Sequence, residues 1–300
     1  MGTYFCAASF YASGRLTVWS PTQVPFILQR DIADAMGING RDIRILQPTI
    51  GGAFGKALDM YAFEVITVLL AQKAARPVKI VFTREEEFSI ACKRQAAQIT
   101  LKHGVNKDGK LMARKVDILM NAGAYVSWGP LSSWTMVQTF GSFYEVPHID
   151  FLCTPVYTNM PICGSMRGYG NPQAHFALES QMDMLAEELG MDAVEFRKKN
   201  LLKEGDYNAN GEIVHSIGSR ECLEKVSEAL EWDKPCIQEE GPWRRGKGLA
   251  LGNKYSVAPT SAMAIVKLWE DGLVEVRHNA DEIGQGVNTV MGQIAAEELG

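Results

Sequence analysis

Apolar and polar positions alternate near the start of the chain and predict a pair of β-strands. The alternating stretches are residues 4–11 and 15–20, and the Ala12-Ser13-Gly14 sequence between them is typical of a turn. From residue 23 the apolar positions recur at helical spacing and stop at Gly37. A short strand is then expected over residues 42–47, and it leads into a glycine-rich loop.

The next elements repeat the order of strand and helix. Residues 59–75 are apolar at helical spacing, and Arg76-Pro77 should end that helix before a strand at 78–83. A strand, a glycine loop, a helix and a second strand form a βαβ unit, so part of the sheet should be parallel or mixed. Residues 98–105 and 110–120 then predict a hairpin.

The middle of the chain predicts mainly helices. A second glycine-rich loop lies between a predicted strand and a predicted helix, as the first one does. The helices are expected over residues 132–140, 173–189, 192–199 and 222–230, with one strand over 149–158.

Residues 234–245 predict a linker between two domains, because they combine proline, glycine and mixed charges without periodicity. The first domain would span residues 1–233 and the second 246–300. The second domain is expected to contain strands at 249–255, 263–269 and 273–278 and a helix at 287–299. So short a piece would have an incomplete core, which indicates part of a longer domain. The fold class is α/β with mixed sheets.

Composition narrows the class of protein. Of 300 residues, 46% are hydrophobic and 22% are charged, as in ordinary globular proteins. The net charge of −5, with the basic residues dispersed, disfavours nucleic acid as a partner. The sequence also contains no apolar run of membrane-spanning length and no signal-peptide pattern, so we expect no membrane association and a cytoplasmic location.

The six cysteines lie far apart in the sequence, without the short spacing that zinc sites and iron–sulfur clusters use. We interpret them as reduced thiols. Any iron–sulfur centre would then belong to another chain.

Three glycine-rich loops carry the candidate chemistry, at residues 51–56, 164–173 and 282–286. Each precedes a predicted helix, where backbone N–H groups can bind an anion. Each loop also has a purely structural interpretation. Phe54 could fill the core of a tight connection, Arg167 could pair with Glu179 or Asp183, and Gln285 could sit in a capped turn. The spacing matches neither a P-loop nor a Rossmann loop.

Together with their flanks, the loops resemble one family. The shared motifs are Leu-Thr-Val-Trp-Ser-Pro-Thr-Gln at 16–23, Gly-Gly-Ala-Phe-Gly-Lys at 51–56, Arg-Pro-Val-Lys at 76–79, Asn-Ala-Gly-Ala-Tyr at 121–125, Met-Arg-Gly-Tyr-Gly-Asn-Pro-Gln at 166–173, Met-Asp-Met-Leu-Ala-Glu-Glu-Leu-Gly at 182–190 and Glu-Ile-Gly-Gln-Gly at 282–286. In this order they resemble the molybdenum-binding subunit of the molybdenum hydroxylases, which include xanthine dehydrogenase, aldehyde oxidase and nicotinate dehydrogenase. The resemblance covers nearly the whole chain.

The resemblance implies a fold of molybdopterin-binding domains and an oxidoreductase that hydroxylates an aldehyde or an N-heteroaromatic compound with water-derived oxygen. It implies molybdopterin, as the cytosine dinucleotide, with the molybdenum held by the pterin and not by protein ligands. Electrons would pass to [2Fe-2S] clusters and FAD in an iron–sulfur subunit and an FAD subunit, with a second molybdenum-binding chain as a further possible partner. The matching cofactor-binding positions are Gly52, Ala53, Phe54, Gly55, Met166, Arg167, Gly168, Gly284, Gln285 and Gly286.

Several positions depart from the family pattern. Ala53 and Lys56 replace glycines that the family usually has in the first loop. Leu58 replaces the substrate-binding glutamate of purine oxidisers, and Thr135 or Met136 replaces their arginine, which disfavours a purine substrate. Gly168 stands where carbon monoxide dehydrogenases have a copper-binding cysteine.

The family's catalytic glutamate lies beyond the third loop, so no catalytic residue is identified in this chain. We expect a fragment or a split subunit. The alternative is a truncated homologue that binds or assembles without turnover.

Three other residues have two interpretations each. Arg94 could anchor an anionic substrate, although a solvated or structural role is the alternative. His103 and His175 fit ordinary surface or helix positions better than metal ligands, since no second ligand lies at suitable spacing.

Overall fold

The first sheet of the protein is mixed, as the βαβ pattern predicted. In the computed structural model, which describes residues 2–236, 241–254 and 261–300, its strands are β1 (Phe5–Phe10), β2 (Leu16–Trp19), β3 (Ile43–Leu46) and β4 (Val78–Val81). They lie in the order β3-β2-β1-β4. The β2–β3 pair is parallel, while β1 is antiparallel to both β2 and β4.

Two helices cover this sheet and form the first core. Helix α1 (Pro25–Met36) ends at Gly37, whose φ of 66° is the left-handed conformation that glycine adopts without strain. Helix α2 (Ala62–Ala74) connects the two edge strands. The fully buried members of this core include Cys6, Ala8, Leu16, Val18, Leu28, Ile32, Val68 and Ala71.

A third helix in this part, α3 (Arg84–Ile90), was not predicted. It begins with a capping box, in which the Glu86 N–H donates to the Thr83 hydroxyl at 3.1 Å and the Thr83 N–H donates to the Glu86 carboxylate at 2.7 Å. The Thr-x-x-Glu pattern is a recognised helix start, so the sequence contained the necessary information.

The second sheet supports the larger core. Its strands β5 (Ala97–Val105), β6 (Leu111–Gly123) and β7 (His148–Tyr157) lie in that order. The β5–β6 pair is the predicted antiparallel hairpin, and β6–β7 is parallel. Helices α4 (Ser132–Ser142) and α5 (Asn171–Glu188) pack on this sheet through a core that includes Ile118, Met120, Met136, Phe140, Ala174, Leu178 and Met182.

Two shorter helices complete this region, α6 (Ala193–Asn200) and α7 (Ser219–Ala229). Arg197 of α6 is fully buried and donates to Glu179 at 2.9 Å and Asp183 at 2.7 Å, both on α5. This charged cluster fixes α6 against α5.

The last part of the described chain contains a two-stranded antiparallel sheet and a helix. The strands are β8 (Ala264–Leu268) and β9 (Val274–His278), and α8 (Val287–Leu299) follows the third glycine loop. Both strands and the helix match the prediction closely.

One predicted strand, 249–255, is wrong over residues 249–254, which form no strand. Their backbone bonds go to α5 side chains and not to a neighbouring strand: the Leu251 N–H donates to Glu179 at 2.9 Å, and the Asn253 carbonyl lies 2.9 Å from His175 Nε2. Tyr255 and part of the predicted linker lie outside the described residues.

Within the described residues, no helix combines the length and apolarity needed to cross a bilayer.

Candidate functional site

The three glycine loops meet around one cavity of about 900 Å³. Gly52 and Phe54 contribute from the first loop, Met166 and Arg167 from the second, and Gln285 from the third. Loops that are more than 100 residues apart in the sequence therefore form one site. Of the ten predicted cofactor-binding residues, Gly52, Ala53, Phe54, Gly55, Met166, Arg167, Gly168, Gly284 and Gln285 line this cavity, and Gly286 follows directly.

Glycine is required where the loops touch. A Cβ atom on Gly284 would lie 2.5 Å from the backbone nitrogen of Gly52, and one on Gly55 would lie 2.8 Å from the Ser165 hydroxyl oxygen. Both glycines also have positive φ, 96° and 89°. Because these two glycines have no side chain, the first loop can contact the other two loops.

Phe54 faces the cavity and does not fill the core. It has a φ of 54°, unusual for a residue with a side chain, and is 44% exposed. The guanidinium carbon of Arg167 lies 5.7 Å from the centre of its ring, within the range of a cation–π contact. Backbone strain of this kind concentrates at functional sites.

Arg167 does not take the structural partners that its sequence position offered. Glu179 and Asp183 both bind Arg197 instead. The Arg167 side chain is exposed, and among the described residues it pairs with no carboxylate. A guanidinium in this position can bind an anion in the cavity.

The second loop is fixed to the start of α4. The Tyr169 hydroxyl donates to the Trp128 carbonyl, and the Thr135 hydroxyl donates to the Tyr169 carbonyl. Tyr169 has a φ of 45°, so this loop also contains a strained residue. Burial raises the pKa of Tyr169, which keeps its hydroxyl protonated as a donor.

The third loop satisfies its own backbone donors. The Glu282 carboxylate accepts from the N–H groups of Gly284 at 2.8 Å and Gly286 at 3.0 Å, and these bonds lower the pKa of Glu282. Gln285 donates to the Asp281 carbonyl at 2.8 Å and accepts from the Ile283 N–H at 2.7 Å. The loop therefore has the bonds of a capped turn, while Gly284 and Gln285 still line the cavity.

The two residues that replace glycine in the first loop behave differently. Ala53 lines the cavity. Lys56 is buried and points elsewhere, with its ammonium 3.0 Å from Glu87 and 2.5 Å from the Gly2 carbonyl. Lys56 thus secures the base of the loop and leaves the cavity unobstructed.

A half-buried carboxyl group connects the first loop to the segment before α4. The Ser127 hydroxyl donates to Asp59, and burial raises the pKa of Asp59 above its usual range. This bond fixes the position of Trp128, the next residue along the chain, which lines the cavity.

Part of the cavity lining is apolar and aromatic. Of the three residues predicted for a substrate pocket, Leu58 and Thr135 line the cavity, while Met136 is fully buried in the second core and does not. Sequence reasoning did not identify Trp128, Leu131 and Trp134, which complete this part of the lining. The irregular Trp-Gly-Pro sequence at 128–130 was the only local sign of them.

A smaller cleft of about 570 Å³ adjoins the cavity and shares Arg167, Gly168 and Lys254 with it. Arg94 and His175 also line it. Arg94 donates to the Arg167 carbonyl and, at 3.4 Å, to Gln173. This contact gives Arg94 a structural role in the second loop.

His103 and His175 both make hydrogen bonds, His175 through its Nε2 atom with the Asn253 backbone. His103 lies 2.9 Å from the Gln181 side-chain oxygen and accepts from Arg114 at 2.7 Å, and burial lowers its pKa to about 3. Among the described residues, no cluster of histidine, cysteine and acidic side chains could hold a metal ion.

Comparison with known proteins finds two family models that match the chain. Residues 1–201 match a family model described as a molybdopterin cofactor-binding domain, and residues 223–300 match a second model with the same description. Both segments contribute loops to the cavity.

Among curated relatives, the chain is 37% identical over 294 residues to a putative xanthine dehydrogenase molybdenum-binding subunit of Escherichia coli, covering 95% of this chain and 39% of that protein. It is 37% identical over 223 residues to the nicotinate dehydrogenase large molybdopterin subunit of Eubacterium barkeri, covering 73% and 52%. The chain thus spans 39% of the length of the first relative.

Among solved structures, the aldehyde oxidoreductase of Desulfovibrio desulfuricans is similar, with a TM-score of 0.86 and 27% identity. The similarity covers 95% of this chain and 32% of that one.

Proposed function

The chain belongs to the molybdenum hydroxylase family, and from this premise we propose that its three glycine loops hold the pterin of a molybdopterin cofactor in an oxidoreductase. The observation that carries the proposal is the meeting of the loops at one cavity, with Gly284 against Gly52. The substrate would be an aldehyde or an N-heteroaromatic compound.

The residues present fit such a cofactor. The cavity volume of about 900 Å³ lies within the range of cofactor pockets. Glycines keep the backbone of the first and third loops open to a flat ring system, and Arg167 supplies a cation for a phosphate. Bound there, molybdopterin would supply molybdenum as a Lewis acid and two-electron acceptor for hydroxylation with water-derived oxygen.

The chain's own residues would position and shield the reactants. Phe54 lines the cavity, and its ring lies 5.7 Å from the guanidinium carbon of Arg167, where a cation–π contact would favour an orientation of Arg167 towards the cavity. Trp128, Leu131 and Trp134 form an apolar wall that can stack a planar substrate and exclude water. Leu58 and Thr135 add no charge to this wall, which supports an aldehyde or a simple heteroaromatic ring over a purine.

Family membership is the basis for further proposals about the cofactor, the partner subunits, the location and the domain boundary. We propose the cytosine dinucleotide form of the cofactor, [2Fe-2S] and FAD partner subunits, a possible second molybdenum-binding chain, a cytoplasmic location and a domain boundary at residues 234–245. The catalytic base would come from outside these 300 residues. A non-catalytic homologue that only binds or assembles is the competing proposal.

Metal and pterin analysis of the purified native complex tests this function. We expect molybdenum in the complex and a fluorescent pterin on denaturation, and dye-linked oxidation of aldehydes or N-heteroaromatic compounds. An active complex without molybdenum would contradict the proposed molybdopterin cofactor. Molybdenum and pterin without turnover of any substrate in such a screen would favour the non-catalytic alternative.

A further inference from the structure

A cleft of about 520 Å³ lies on the first sheet and shares none of its lining residues with the main cavity. Arg15, Arg41 and Arg44 line this arginine cleft, together with one acidic residue, Asp42. Three guanidinium groups and one carboxylate give these side chains a net charge of +2, in a chain whose net charge is −5. The cleft therefore concentrates positive charge against the overall balance of the chain.

Two of the three guanidinium groups have no ion-pair partner within the described residues. Asp42 lies beside Arg41, with 4.0 Å between the Asp42 Oδ2 and Arg41 Nε atoms, and this pair is exposed. Arg15 and Arg44 are not paired with any carboxylate in the part of the chain that the structure describes. An arginine presents several N–H donors in a planar fork that fits the oxygens of a phosphate group. Such donors are therefore available in the cleft.

The pairing of β2 with β3 places Thr17 beside Arg44. The two residues are direct partners in the register, so their side chains lie on the same face of the sheet. Leu16 and Val18, on either side of Thr17, are fully buried in the first core, so Thr17 and Arg44 lie on the opposite face. Thr17 is nevertheless only 5% exposed, and its hydroxyl has no hydrogen-bond partner among residues 2–236, 241–254 and 261–300. A buried hydroxyl that lines a positively charged cleft can donate to a bound anion.

We propose that the arginine cleft binds the phosphate group of a small molecule, with Arg15, Arg44 and the Thr17 hydroxyl as donors. A phosphate monoester carries a charge of about −1.5 to −2 at neutral pH, which matches the net charge of the cleft. A concave volume of about 520 Å³ also suits a small molecule. The phosphate has two possible sources, a free phosphate ion or a phosphomonoester, and both present the same oxygens to the guanidinium groups. The site is separate from the cofactor cavity, so this proposal goes beyond the proposed function.

Calorimetric titration of the purified holoenzyme with inorganic phosphate and with phenyl phosphate tests this site. The test variants are Arg15→Gln, Arg44→Gln and Thr17→Val. The last replaces the hydroxyl with a methyl group of similar size. Arg76→Gln is the control, because Arg76 is exposed, precedes β4 at the opposite edge of the same sheet and does not line the cleft. It removes the same charge from a different place.

We expect each arginine variant to weaken phosphate binding about tenfold and Thr17→Val to weaken it about threefold, while Arg76→Gln keeps the wild-type affinity. Equal affinity for the two probes would identify a free phosphate ion as the ligand, and affinity for phenyl phosphate at least about tenfold higher would identify a phosphomonoester. The proposal is overturned if the wild type binds neither probe, if Arg15→Gln and Arg44→Gln keep the wild-type affinity, or if Arg76→Gln loses as much. Pterin content should stay unchanged in all four variants, and absence of molybdenum from the wild type would instead contradict the proposed function.

Discussion

Gly284 lies so close to Gly52 that a Cβ atom on Gly284 would be 2.5 Å from the Gly52 nitrogen and 2.8 Å from the Ile50 carbonyl oxygen. This contact joins the third loop to the first. Both neighbours are backbone atoms, so a side chain at Gly284 cannot be accommodated by a change of rotamer. The third loop would instead have to move away from the first loop, and this separation would widen the cavity.

Gly284→Ala should therefore release the cofactor. We expect pterin content to fall about tenfold, equivalent to about 1.4 kcal/mol of lost binding free energy. Gly272→Ala is the matched control, because Gly272 has a similar φ of 85° but no atom within 4 Å of an added Cβ. It imposes the same backbone strain without the clash. Equal pterin loss in both variants would show that strain, and not loop contact, is responsible.

The Arg197–Glu179 pair should be important for stability. Both side chains are buried, and Glu179 also accepts from the Tyr144 hydroxyl at 2.8 Å and the Leu251 N–H at 2.9 Å. Arg197→Met leaves a buried carboxylate without its cation, which costs about 3–5 kcal/mol. The free energy of unfolding in urea measures this loss.

The control for that experiment is Arg220→Met. Arg220 and Glu224 lie 3.9 Å apart on the exposed surface of α7, where removal of an ion pair costs about 0–1 kcal/mol. A cost at Arg197 no larger than the cost at Arg220 would contradict the assigned importance of the buried cluster.

Glu64 should make stability depend on pH. It is buried in α2, accepts from the Ser20 hydroxyl at 2.5 Å, and burial raises its pKa to about 7. The protonated form is favoured in the folded state, so its contribution is fully present below the unfolded pKa of about 4.3. The contribution is lost as the pH rises through about 7.

Urea unfolding at several pH values between about 4 and 8 tests this. The wild type should lose stability across that window, and Glu64→Gln should lose less because its amide does not ionise. Glu85→Gln, at an exposed position of α3, should retain the wild-type slope. Parallel curves for the wild type and Glu64→Gln would exclude Glu64 as the source.

The local sequence predicted elements better than it predicted the site wall. Gly37 and the glycines of the three loops lie where the backbone takes conformations that favour glycine. The residue type alone therefore predicted a turn at those positions. The conformation of residues 249–254 could not be predicted in this way. Their sequence pattern resembles a strand, but their hydrogen-bond partners are side chains of a distant helix. Trp128 and Trp134 line the cavity beside contacts between distant segments, such as those of Asp59 with Ser127 and of Thr135 with Tyr169. Such contacts between distant segments leave no periodic pattern.

Phe54→Gly separates a role in cofactor binding from a role in folding. The left-handed φ of 54° strains phenylalanine by about 1 kcal/mol or more, and glycine removes that strain. Glycine also makes the unfolded chain more flexible, at a cost of about 0.5–1 kcal/mol. Because the ring is 44% exposed, little core packing is lost, and the free energy of unfolding should stay nearly unchanged.

Pterin content should nevertheless fall in Phe54→Gly, since the ring lines the cavity and its cation–π contact with Arg167, at 5.7 Å, is lost. Phe88→Gly is a control for the loss of an exposed ring, because Phe88 is 74% exposed and lies on α3, outside the cavity. That variant should retain pterin while losing stability, because glycine is unfavourable inside a helix. Full pterin retention in Phe54→Gly would exclude a cofactor-binding role for this ring, whatever its effect on stability.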